Sequence, residues 1–111
     1  SYVRIIRELG RISRGELVFT AITDHVDIDK GEAWVDFTLG KDHVHWALAV
    51  ENDWVDPKLF TRMAQLTTKH GTRGRFTYFD TGGQDVVIGY ETEEGREKLR
   101  AMTSLAIEWL K

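Results

Sequence analysis

Two runs of alternating residues, held apart by a three-residue turn, constrain this chain more than any other feature. In the first, Ala33, Val35, Phe37 and Leu39 alternate with Trp34, Asp36 and Thr38; in the second, Val44, Trp46, Leu48 and Val50 alternate with His43, His45, Ala47 and Ala49. A period of two sends successive side chains to opposite faces of a strand, and Gly40-Lys41-Asp42 between the runs reads as a turn. The runs therefore pair antiparallel, with one apolar and one polar face. Upstream, residues 17–28 carry Val18, Phe19, Ile22, Val26 and Ile28 with β-branched Thr20 and Thr23. That composition predicts a strand apolar on both faces over its first half, closed by Asp29-Lys30-Gly31. Together the three strands make a meander.

Around the meander the periodicity becomes helical. Residues 2–9 place Tyr2, Ile5, Ile6 and Leu9 on one stripe, with Gly10 or Gly15 as the stop. Asp56-Pro57 is a strong start signal, because the carboxylate accepts orphan N–H groups and proline needs no partner for its nitrogen. A helix over residues 57–69 follows, with Leu59, Phe60, Met63 and Leu66 as its stripe, Thr67 at the border and Val55 against Phe60 as a staple. Residues 75–79 and 86–90 read as two strands around Thr81-Gly82-Gly83-Gln84. Thr92 caps a last helix whose stripe is Leu99, Met102, Leu105, Ala106, Trp109 and Leu110. The order α-β-β-β-α-β-β-α predicts the α+β class, as a five-stranded, mainly antiparallel sheet with helices packed on one face. At 111 residues, one domain over residues 1–111 is expected.

Cysteine is absent, which excludes a disulfide scaffold, a thiol nucleophile, an iron–sulfur site and thiolate zinc. The cytoplasm is the default compartment, and no apolar run has the length of a membrane span or signal-peptide core. The net charge of −3 hides two blocks. Residues 17–56 hold nine acids (Asp24, Asp27, Asp29, Glu32, Asp36, Asp42, Glu51, Asp53, Asp56) against Lys30 and Lys41, a balance of −7. Residues 57–75 hold Lys58, Arg62, Lys69, Arg73 and Arg75 and no acid. Helix-face solubility accounts for that basic strip better than phosphate binding does, so nucleic acid is not an expected partner.

His43 and His45 are two apart on a strand and point the same way, so they could converge on a metal if Asp36, Asp42 or His25 supplied a third ligand. Solvated histidines on the polar face are the plainer reading, and no metal or cofactor is expected. Tyr78-Phe79-Asp80-Thr81-Gly82-Gly83 resembles the hydrophobic-hydrophobic-Asp-Thr-Gly motif of aspartic proteases. Only 31 residues follow Asp80, too few for the flap and second sheet such an enzyme requires, so the segment reads as a hairpin turn. No phosphate-cradling glycine loop or G-x-S-x-G elbow occurs. Trp46 and Trp109 fall on apolar stripes and are expected in the core. Trp34 shares the parity of Asp36 and is either covered by another element or offered to a partner; Trp54, before the helix cap, reads first as a staple-like structural residue and second as a half-exposed anchor.

These residues point to a non-enzymatic binding protein. Its acidic, aromatic sheet face, with Trp34, Asp36, His43, His45 and Trp54, would contact a protein partner: a second copy in a homodimer, or a basic protein such as a toxin that it neutralises. The alternative is a small-molecule binder or enzyme with a pocket between sheet and helices, pairing His25, His43, His45 or His70 with Asp36 or Asp80 for acid–base chemistry.

Overall fold

The alternating runs form β2 (Glu32–Leu39) and β3 (Asp42–Leu48) in the computed structural model, which describes residues 1–50, 56–83 and 85–111. Val35 pairs with Trp46 and Phe37 with Val44. The apolar parity is buried: Ala33, Val35, Phe37 and Leu39 lie inside, while Trp34, Asp36 and Thr38 are half-buried. Gly40 and Lys41 form a two-residue loop between the paired Leu39 and Asp42. Gly40 takes φ +60°, which the first residue of such a loop requires and glycine adopts without steric cost.

β1 (Phe19–Asp27) completes a sheet of order β1-β2-β3. Its alternation breaks between Thr20, opposite Thr38, and Thr23, opposite Asp36. A bulge there absorbs one extra residue, and Ala21 takes φ +51° to make it. Beyond the bulge Asp24 shares a face with Val35, and its Oδ2 accepts the N–H groups of Tyr2 at 2.9 Å and Val3 at 3.2 Å. Those are orphan donors of α1 (Tyr2–Ile12), and a carboxylate at that positive end is favourable. The helix buries Tyr2, Ile6 and Leu9, as its spacing predicts, but runs through Gly10 to a cap at Ser13. Contrary to the two-sided expectation for the first half of residues 17–28, Val18 precedes β1 and is exposed; Val26, opposite Ala33, and Ile28, beyond the strand, are exposed as well.

Asp56 begins α2 (Lys58–His70) as its sequence context predicts. Its Oδ1 accepts the Lys58 N–H at 3.0 Å, its Oδ2 accepts the Ala49 N–H at 2.7 Å, and its own N–H donates to the Tyr2 hydroxyl at 2.9 Å. Leu59, Met63 and Thr67 are buried along the expected stripe. The proposed staple residue Val55 lies outside the described residues.

By internal contacts the chain divides into two units, Ser1–Leu59 and Phe60–Lys111. The second has its own sheet, so the expected single five-stranded sheet is replaced by two antiparallel sheets of three strands each. Here β4 (Arg75–Asp80) lies between β5 (Val86–Glu91) and β6 (Glu108–Trp109). Thr92 caps α3 (Glu93–Thr103), its Oγ1 accepting the Gly95 N–H at 3.0 Å. The long stripe expected of that helix does not form. Ser104 ends α3 in the left-handed conformation at φ +59°, no α3 residue is buried, and Met102 is 81% exposed. Residues beyond the helix instead satisfy the open edge of β4: Trp109 stands opposite Thr77, and the Leu110 N–H donates to the Phe76 carbonyl at 2.9 Å. Among the described residues, no helix is long and apolar enough to cross a membrane.

Gly74 is held by a close approach. A Cβ there would fall 2.2 Å from the buried ring of Tyr90, which packs edge-on against Phe76 with ring centroids 5.1 Å apart. Gly74→Ala is expected to lower unfolding free energy by about 1–3 kcal/mol, the usual cost of forcing extra volume into a packed core, as read from urea melts. Tyr2→Phe should cost about 1–3 kcal/mol by leaving the buried Asp56 N–H unpaired, and Asp56→Ala about 0.5–2 kcal/mol for the lost cap alone. Melts that match the wild type would contradict these roles.

Candidate functional site

Residues directly opposite in an antiparallel sheet share a face. The face away from the buried apolar row therefore reads, across the three strands, His25–Trp34–Ala47, then Thr23–Asp36–His45, then Thr20–Thr38–His43. Four residues singled out from the sequence, Trp34, Asp36, His43 and His45, are brought together here. Trp54 lies outside the described residues.

Asp36 is the centre. Its Oδ1 meets His43 Nε2 at 2.8 Å and its Oδ2 meets His45 Nδ1 at 3.0 Å. An ionised carboxylate can only accept, so the two facing ring nitrogens carry the protons. Those donors, His43 first and His45 second, hold the Asp36 carboxyl below the ordinary aspartate value of 3.8, with the charge of both rings adding to the effect and desolvation opposing it. Beside this group the Trp34 ring stands between two imidazoles. His25 is stacked on it at 5.7 Å between ring centroids with planes 22° apart, and His45 lies at 5.2 Å with planes 35° apart. His25 Nε2 is 3.9 Å from Glu32 Oε2. Trp34 is thus half-buried by imidazoles of its own sheet, neither enclosed in a core nor fully free.

His25, a candidate third metal ligand and a candidate acid–base histidine in the sequence, does not complete a metal site with His43 and His45. Trp34 separates it from His45, and among the described residues no group of three or more His, Cys, Asp or Glu could hold a metal ion. Its place beside Trp34 had no signal in the sequence. Unbroken alternation from Phe19 would put His25 with the apolar row, and the bulge that reverses this occurs at alanine rather than glycine.

The other features resolve structurally. Asp80 Oδ1 accepts the Gly82 N–H at 2.8 Å and the Thr81 hydroxyl donates to the Asp85 carbonyl at 3.1 Å, the bonding of a turn. Trp46 is half-buried rather than core, edge-on to Phe37 with centroids 5.3 Å apart. Trp109, expected on a helix, sits on β6 with the guanidinium groups of Arg75 and Arg96 at 4.8 and 5.1 Å from its ring centroid. Neither of two clefts is lined by residues of the imidazole face: one between α1 and β1, about 300 Å³, is lined by Arg7, Gly10 and Phe19, and one of about 230 Å³ beside α2 by Gln65, Arg75 and Leu110.

Comparison with protein-family models, with curated proteins and with solved structures finds no match for this chain.

The lowered Asp36 pKa has a definite sign. A carboxylate depressed in the folded state adds stability above its unfolded value of 3.8 and loses it as pH falls through the folded value. A carbon-detected NMR titration should find Asp36 below 3.8, and His43→Ala or His45→Ala should each move it upward. Asp36→Asn should remove this part of the acid destabilisation. An Asp36 that titrates at the ordinary value in the wild type would refute the two-imidazole arrangement.

Proposed function

We propose that this chain is a non-enzymatic binding protein that meets a protein partner through the outward face of β1-β2-β3. The observation that carries this reading is the organised, solvent-facing cluster itself. Asp36 is fixed by two imidazoles and Trp34 is stacked on one and tilted against another, while the His43 and His45 side chains remain 66% and 51% exposed. Oriented polar groups beside a partly exposed aromatic are the composition of an interface anchor, where side chains ordered beforehand lose less entropy on binding.

The same histidine–aspartate pairs favour the acid–base reading less. General acid–base catalysis needs a substrate held against the pair in a site that excludes water. Here the imidazoles stand on an open face, and both clefts described above lack His25, His43 and His45.

Replacing Trp34 and Asp36 together by alanine tests the proposal. Neither residue belongs to the buried row, so the double variant should keep its dispersed amide spectrum while losing self-association or the partner that wild-type protein recovers from lysate. The reading fails if the wild type is monomeric by light scattering and both proteins recover the same partners in the same amounts.

A further inference from the structure

Resting on that docking reading, we propose that the partner is a cationic protein segment whose arginine or lysine donors engage this face, and that protonation of His25, His43 and His45 releases it. The tautomers carry the chemistry. His43 gives its Nε2 proton and His45 its Nδ1 proton to Asp36, so in the neutral rings His43 Nδ1 and His45 Nε2 hold lone pairs. Each Asp36 oxygen keeps a second acceptor site. The face thus offers acceptors and calls for donors.

Charge points the same way. Among the described residues, the titratable groups on this face are Asp27 and His25 from β1, Glu32 and Asp36 from β2, and His43 and His45 from β3. The nearest lysines in sequence, Lys30 and Lys41, belong to the turns at opposite ends of the meander. With neutral imidazoles the six groups sum to −3, and with three imidazoliums they sum to zero. A second copy would bring the same negative face and the same acceptors, which disfavours a symmetric contact; a cationic segment complements both. Its methylene stems can pack along the edge of Trp34. Protonation converts the free ring nitrogens to donors and lets the imidazoliums pair internally, His25 with Glu32 and the other two with Asp36, in competition with the partner. Imidazoles make this change between about pH 8 and pH 5, where arginine stays charged.

The test is an amide NMR titration with a hexa-arginine peptide at pH 8 and pH 5, with hexa-glutamate as control and light scattering in parallel. Shifts should concentrate on Thr23, His25, Trp34, Asp36, His43 and His45, with binding at least about tenfold weaker at pH 5, equivalent to about 1.4 kcal/mol. His43→Gln combined with His45→Gln, which removes two of the three rings that can gain a proton, should weaken binding at pH 8 and shrink the ratio of affinities between pH 8 and pH 5; Asp36→Asn should weaken binding at pH 8. Equal affinity at both pH values, or shifts spread over acidic turns elsewhere, overturns the proposal. If the peptide is ignored but these same residues shift as a dimer forms, the docking reading survives and the cationic partner does not. Should the peptide leave these residues unmoved, with no self-association and with partner recovery indifferent to the Trp34 and Asp36 changes, both are wrong.

Discussion

One extra residue in β1 organises the first unit. An antiparallel strand without a bulge would carry a single parity from Phe19 to Asp27, placing His25 under the helix and Asp24 in solvent. The irregularity at Ala21 and Ile22 reverses this. Asp24 reaches the orphan N–H groups of α1, and His25 comes to rest on Trp34. Helix anchoring and the composition of the outward face are therefore coupled through one backbone irregularity. An alanine at positive φ is uncommon, and holding it there carries a conformational cost that the contacts on either side must offset.

What could be read from the chain beforehand follows the range of the interaction involved. β2 and β3 were legible because a two-residue side-chain period and a short glycine loop leave one register that buries Val35 and Phe37 together, and that register also gathers Trp34, Asp36, His43 and His45. Asp56-Pro57 and Thr92 were legible because a cap is satisfied within a few residues. The bulge was not, since nothing at Ala21 distinguishes it from any other strand alanine. Nor was β6. Leu99, Met102, Leu105, Ala106 and Trp109 fit a helical stripe, and only the unpaired edge of β4, far away in sequence, favours extended chain at Glu108 and Trp109.

An aspartate between two histidines acquires its meaning from its surroundings. Enclosed in a cleft, such a pair of hydrogen bonds would tune a base against a substrate. On a solvent-facing sheet the same bonds fix ring orientation and tautomer, turning two mobile side chains into a pattern of donors and acceptors. In the proposed docking, recognition depends on that pattern, and its polarity is set by protons.

The bond from Asp56 to the Tyr2 hydroxyl also bears on the order in which the protein can form. It joins positions 54 residues apart, and the same aspartate holds Ala49 and the first turn of α2. During synthesis the amino-terminal helix leaves the ribosome long before the residue that accepts its tyrosine into the interior. The growing chain must therefore keep Tyr2 and its apolar stripe unburied until the meander and the start of α2 have emerged. Contacts so distant in sequence are slow to close, so the interval before Asp56 appears is the stage at which the nascent protein most exposes the surfaces it will later bury.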